Sequence, residues 1–297
     1  MEFYDLGITI KDIRIKKNIS QSELCHGICS QSQISKIEKG MIYPSSILLY
    51  QLSERLGIDP NNIFALTQNK KLKYVKNVKY VMRDCAKQKQ YKELYEIVKQ
   101  EKKQNNFQSK EDKQFLIWHE AIAIFEVNRS TKTALTLLNH ALELTLTNSD
   151  FLSEREIDIM QTMAIFYAEH KEYEKSINIL RRCLTNFNKL DFPRDKEIKL
   201  KIILNSAKFL DLTYQHEEAI KYLDKGIKLA INLDTLYLLG ELYYLKSQYL
   251  LKIKQHNEED VVNNMKKALF IFELREKEHY IQMIKGELIE IQNKKHS

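Results

Sequence analysis

Along almost the whole chain, apolar residues return every three or four positions, the spacing of one buried stripe on an α-helix. Leu6, Ile10, Ile13 and Ile15, with Lys11, Arg14, Lys16 and Lys17 between them, predict an amphipathic first helix that Asn18-Ile19 breaks. Ser20-Gln21-Ser22-Glu23 has the spacing of a capping box, and a second helix follows with Leu24 and Ile28 inward. Ser30 can cap a third helix, Gln31 to Lys39, with Ile34 and Ile37 inward and Gly40 as its stop. Pro44-Ser45-Ser46 opens a fourth, with Leu48, Leu49, Leu52 and Leu56 inward, ended by Gly57. Asp59-Pro60 starts a short fifth, Asn61 to Leu66.

From Gln68 onward the helical pattern repeats. Thr133-Ala134-Leu135-x-Leu137-Leu138-x-x-Ala141-Leu142 recurs as Lys175-Ser176-Ile177-x-Ile179-Leu180-x-x-Cys183-Leu184. It recurs again as Glu218-Ala219-Ile220-x-Tyr222-Leu223-x-x-Gly226-Ile227, and more weakly at Ala268-Leu269. The small residues 141, 183, 226 and 268 stand 42, 43 and 42 positions apart. A degenerate first copy fits Tyr91 to Val98. Apolar helices (Ile159 to Tyr167, Ile202 to Leu210, Leu236 to Tyr244) precede these segments, so each unit reads as a helical hairpin, and His279 to Ile291 as a closing helix. Such hairpins bury their faces only by stacking, which creates a concave inner surface.

Only 7 Gly and 3 Pro occur, too few for the turns of a sandwich or barrel, so the chain is predicted all-α. No secretory signal opens the sequence, and Glu241 and Lys246 interrupt the most apolar later stretch, Leu236 to Ile253. Four scattered cysteines give no disulfide framework. A cytoplasmic, non-membrane protein is expected. Net charge is +7, unevenly placed: residues 1–66 are neutral, whereas 70–113 hold fourteen basic and six acidic residues.

Residues 6–66 resemble the Xre and phage-repressor type of helix-turn-helix domain. The carrying positions are Ile10-x-x-Ile13-Arg14, Ser20-Gln21-x-Glu23-Leu24, Ser30-Gln31-x-x-Ile34-Ser35-x-Ile37-Glu38-x-Gly40, Pro44 and Leu52-x-x-x-Leu56-Gly57-Ile58. The resemblance implies that the third helix enters the major groove of double-stranded DNA, with Gln31, Ser32, Ser35 and Lys36 at base edges. A Gln amide can bond adenine twice, and Lys can donate to guanine. Gln21 and Gln33 would then touch phosphate, with Arg14, Lys17 and Lys39 as additional phosphate contacts. The turn, Gly27-Ile28-Cys29-Ser30, is a residue shorter than in the phage repressors and reads as lacking their turn glycine. A neutral domain binds DNA weakly alone, so a homodimer on a palindromic operator is expected, the half-sites about 10 base pairs apart.

The repeats resemble lengthened tetratricopeptide hairpins. The whole chain is similar to PlcR-like peptide-responsive quorum-sensing regulators, through Lys87-Gln88-Lys89-x-Tyr91-Lys92-Glu93, Tyr167-Ala168-Glu169, Asn205-x-Ala207-Lys208 and Leu242-Tyr243-Tyr244. The implied organisation is a five-helix DNA-binding domain over 1–66, a linker helix over 67–85, and a superhelix of about five hairpins over 86–297 that senses and dimerises. A short signalling peptide would lie in the concave face. Lys87 and Lys89 would hold a carboxylate, Asn205 would clamp the peptide backbone, and Tyr167, Tyr243, Tyr244 and Tyr280 would pack apolar side chains. Ile165 stands where the family carries a third-repeat asparagine. The alternative reading makes the repeats a dock for a protein partner or another small ligand.

Cys25-His26-Gly27-Ile28-Cys29 looks metal-binding, but no second ligand pair follows, so no metal or cofactor is expected. Cys29 is the thiol to watch. His119-Glu120 and His216-Glu217-Glu218 have no partner at ligand spacing, and no phosphate loop or nucleophile elbow occurs, so the chain does not read as an enzyme.

Overall fold

A computed structural model describes residues 6–66, 70–148, 150–253 and 257–296. They form sixteen α-helices and, among the described residues, no strand. Two compact units result: Met1–Lys89 with Glu101–Phe107, and Gln90–Gln100 with Gln108–Ser297.

The first unit holds α1 (Leu6–Lys16), α2 (Gln21–Cys25), α3 (Gln31–Glu38), α4 (Ser46–Leu56), α5 (Pro60–Leu66) and α6 (Lys70–Lys87). Ile10, Leu24, Ile34, Leu52, Leu56 and Ile63 have no exposed surface and form one core with Ile37 and Leu49. Each such side chain contributes about 1.5–3 kcal/mol on leaving water. The α2 capping box is present: the Glu23 N–H donates to Ser20 Oγ at 3.1 Å, and the Ser20 N–H to Glu23 Oε2 at 2.7 Å. The helix stops at Cys25, so Ile28, expected within it, covers the core from the following turn, half-buried. α1 crosses α3 at backbone contact, because Gly7 has no side chain.

The expected linker begins at 67–69, outside the described residues. Its helix, α6, buries Val75, Met82 and Cys85. The Tyr74 hydroxyl donates to Glu101 Oε1 at 2.5 Å, and Lys79 Nζ lies 5.9 Å above the Phe107 ring. α6 is therefore a packed element of the first unit rather than a bare connector.

After α7 (Tyr91–Gln104), the second unit stacks hairpins: α8 (Lys110–Asn128) with α9 (Thr131–Glu143), α10 (Glu154–Glu169) with α11 (Tyr173–Phe187), α12 (Glu197–Leu212) with α13 (His216–Asn232), and α14 (Leu239–Leu250) with α15 (Glu258–Leu274). α16 (Glu278–His296) closes on α15. The recurring small residues sit where helices come closest. Ala141, Cys183 and Ala268 have no exposed surface, and a methyl group on Gly226 would meet Leu242 at 2.8 Å and Ile203 at 3.0 Å. One register differs from expectation. Leu236 and Leu238 precede α14 instead of opening it, because Leu238 takes a left-handed conformation (φ 57°) and the Leu236 carbonyl accepts from Arg275 Nη1.

Candidate nucleic-acid interface and ligand-binding face

The third helix is fixed on one side and bare on the other. Ser30 caps it, its hydroxyl accepting from the Gln33 N–H at 3.2 Å, while Ile34 and Ile37 are sealed in the core. Gln31, Ser32 and Lys36 are exposed, and Gln33 and Ser35 half-buried. Lys17 and Lys39 are exposed as well. The turn between α2 and α3 opens on Gly27 in the left-handed conformation, with φ 70°. Arg55 ties the end of α2 to α4, donating to the carbonyls of Glu23 (2.8 Å) and His26 (3.0 Å). Nothing in the sequence periodicity signals that bond, since Arg55 lies on the outer stripe of α4.

Arg14, expected at a phosphate, is bonded within the domain. Its Nε donates to Glu38 Oε1 at 2.6 Å, Nη2 to Glu38 Oε2 at 2.9 Å, and Nη1 to the Ile19 carbonyl at 2.8 Å. With a side chain only 12% exposed, the guanidinium is an internal strut. Glu38 also accepts from Gln21 Nε2 at 2.8 Å. Burial pushes the Glu38 carboxyl up. The hydrogen bonds from Arg14 and Gln21, with the charges of Arg14 and Lys11, outweigh that and hold it below the usual carboxylate range. Glu38 was legible in principle: an acid on the same stripe as Ile34 and Ile37 demands a buried partner.

Cys29 is partly buried, and that burial, with Cys25 beside it, raises its thiol above the ordinary value, which disfavours the reactive thiolate. Among the described residues no group of His, Cys, Asp and Glu could hold a metal ion.

In the second unit, the first helices of successive hairpins lie side by side. Trp118 Nε1 of α8 donates to Thr162 Oγ1 of α10 at 2.9 Å, and α10 packs on α12. One stripe of α12 stays open: Lys201, Asn205, Lys208 and Leu212, spaced four, three and four apart. Asn205 is half-buried, and its amide has no protein partner among the described residues. The matching stripe of α10, 43 positions earlier, carries Asp158, Thr162 and Ile165; Thr162 is nearly buried and bonded to Trp118, and Ile165 is 36% exposed. At one end stands Tyr237. Burial, then Glu197, Asp195, Glu241 and Asp158, pushes its hydroxyl up to about 12, so an acidic rim surrounds it.

The tyrosines expected in a pocket are mostly spent on packing. Tyr167 abuts the core formed with Phe125 and Phe166, under the Lys175 ammonium at 3.7 Å. Tyr243 fills the seam between α14 and α15, beneath Lys267 Nζ at 5.4 Å. Tyr280 stacks on Phe272 with ring centroids 4.3 Å apart. The Tyr244 hydroxyl donates to Glu287 Oε1 at 2.8 Å, bridging α14 and α16. These contacts occupy part of each ring, and Tyr167, Tyr243, Tyr244 and Tyr280 all remain only partly buried. Lys87, ending α6, and Lys89, in the turn after it with φ 59°, are exposed residues of the first unit.

A capped, outward-facing third helix followed by stacked helical hairpins defines a helix-turn-helix protein with a repeat domain. Residues 10–63 match the helix-turn-helix family, and residues 79–290 match the RNPP family C-terminal domain. The chain belongs to the RNPP family. It is similar to Bacillus thuringiensis PlcR in complex with the peptide PapR7 and DNA, at 28% identity over 95% of this chain and 99% of that one, with a TM-score of 0.82. PlcR in its apo form matches at 26% identity over 96% and 100%, with a TM-score of 0.68. ComR from S. thermophilus, in complex with DNA and its signalling peptide ComS, shares the fold at 16% identity over 97% and 99%, with a TM-score of 0.65. No curated protein matches the chain. No helix among the described residues is long and apolar enough to cross a membrane.

Proposed function

We propose that this chain is a homodimeric transcription regulator of the cytoplasm whose binding to a palindromic operator is set by a short signalling peptide held on the open face of the repeats. The observation that carries the reading is the end-to-end likeness to PlcR, a protein whose structure is known with peptide and DNA bound. Within it, Gln31, Ser32, Ser35 and Lys36 read base edges. Gln21, Gln33, Lys17 and Lys39 meet phosphates, which fix the register without carrying sequence information. On the repeats, Asn205 offers an amide able to donate to and accept from an extended peptide backbone, with Ile165 and Leu212 as apolar neighbours. Lys87 and Lys89 supply the charge for a carboxylate. The domain division at residues 66 and 85 belongs to this reading as well.

Neutral charge over residues 1–66 supports the dimer, since a second half-site supplies the affinity that one copy lacks. A coupling of about 1–3 kcal/mol between peptide and DNA sites would change operator affinity roughly 5- to 150-fold. The test is selection of bound duplexes from a random library, with and without the small-peptide fraction of spent culture medium. A palindrome whose enrichment responds to that fraction supports the proposal. An indifferent palindrome transfers the regulation to a protein partner, and no enriched sequence at all removes the DNA reading.

A further inference from the structure

We propose that Glu38 is a positioning residue for DNA recognition, holding the Gln21 amide at the start of α2 in fixed register with the base-reading face of α3. The proposal rests on the reading of Gln21 as a phosphate contact. Glu38 belongs to α3 itself and is 5% exposed. Its Oε1 accepts from Arg14 Nε at 2.6 Å; its Oε2 accepts from Arg14 Nη2 at 2.9 Å and from Gln21 Nε2 at 2.8 Å. Arg14 carries the tie further, donating from Nη1 to the Ile19 carbonyl, two residues before Gln21. One buried carboxylate thus joins the recognition helix to the segment that starts the preceding helix, by a direct and an indirect route.

The choice of a carboxylate has a chemical consequence. An ionised carboxylate only accepts, so the nitrogen end of the Gln21 amide must face it, and the amide cannot flip. Gln21 Nε2 has two N–H groups, and one is committed to Glu38. The other has no protein partner among the described residues, and Gln21 is only half-buried, so that N–H is available to an acceptor outside. A phosphate bound there is held at a set distance from Gln31, Ser32 and Lys36 on the same α3 that bears Glu38. Phosphate contacts fix register and base contacts specify, so a carboxylate that links the two sharpens discrimination as well as affinity.

A purely structural Glu38 would behave differently. Its loss would lower the folded fraction and weaken binding to every duplex alike. The experiment uses the full chain and two probes: a duplex selected on the wild type from a random library, and a scrambled duplex of the same composition. Gln21→Met leaves the Arg14–Glu38 pair intact, so it keeps the fold. It is expected to weaken both duplexes roughly tenfold, the worth of one hydrogen bond to a charged phosphate, with the salt slope unchanged because a neutral amide displaces no counterion, and also to reduce the preference for the selected duplex. Glu38→Gln, compared at equal folded fraction from thermal melts, is expected to weaken the selected duplex roughly tenfold and the scrambled one far less. The double variant should bind the selected duplex no more weakly than Glu38→Gln alone. Equal loss on both duplexes, or a double-variant loss equal to the combined single losses, overturns the positioning role. If Glu38→Gln does not fold, Gln21→Met decides: weaker binding to both duplexes with unchanged preference overturns the proposal. Unchanged affinity for both duplexes in Gln21→Met instead removes the phosphate reading of Gln21, and the proposal with it.

Discussion

A methyl group placed on Gly7 would stand 1.8 Å from the carbonyl oxygen of Ile37. α1 and α3 therefore touch backbone to backbone, and no rotamer can relieve the overlap because the obstacle is main chain. Gly7→Ala should push the helices apart and destabilise the first unit by about 1–3 kcal/mol or more. Thermal unfolding followed by circular dichroism reads it; an unchanged melting temperature would show that α1 can slide at no cost.

Glu38 makes the same unit sensitive to acid. Its folded carboxyl lies below the ordinary value, so the folded state binds its proton less readily than the unfolded chain does. The stabilisation is then complete above the unfolded value, about 4.3, and is lost as pH falls through the lower folded value. Replacing Glu38 by Gln leaves Arg14 partly buried beside a neutral amide, a change that costs roughly 3–5 kcal/mol for a buried pair. The stability gap between wild type and Glu38→Gln should be widest near neutrality and shrink below about pH 4. A gap that is flat with pH would mean that the carboxylate charge contributes nothing.

Much of this architecture is legible because helices announce themselves. The three-and-four spacing of Leu48, Leu52 and Leu56, the Ser20 and Ser30 caps and the small residues at 141, 183, 226 and 268 are local signals, and each fell where expected. What stayed hidden is directional. A tyrosine near a repeat seam can point to the groove or into the seam with the same spacing, and Tyr243 and Tyr280 point into it. Arg14 looked like a surface cation because its partner lies 24 residues away on another helix.

The base-reading and phosphate-contact roles proposed around α3 can be separated by measurement. Gln31→Ala and Lys36→Ala should each cost about 1–3 kcal/mol on the selected operator and relax preference at one position of each half-site. Lys39→Ala should weaken all duplexes alike and lower the salt slope by about 0.9. Binding isotherms on single-base operator variants, at several salt concentrations, distinguish the two. A uniform loss in Lys36→Ala would move Lys36 from the bases to the backbone.

Asn205 and Tyr243 make opposite predictions about the repeats. Asn205 stands on the open stripe of α12 with its amide unpaired by protein, so removing the amide takes nothing from the fold but a solvated contact. Asn205→Ala should leave operator binding without peptide unchanged, together with the melting temperature. It should also abolish most of the shift that the small-peptide fraction produces, because a backbone clamp is worth about 0.5–1.5 kcal/mol, commensurate with allosteric couplings of about 1–3 kcal/mol. Tyr243 lies in the α14–α15 seam, and Tyr243→Phe keeps the ring that packs there. That variant should respond to the fraction as the wild type does. A normal response in Asn205→Ala with a lost one in Tyr243→Phe would reverse the assignment, placing the ligand against the α14–α15 seam instead of the α12 stripe.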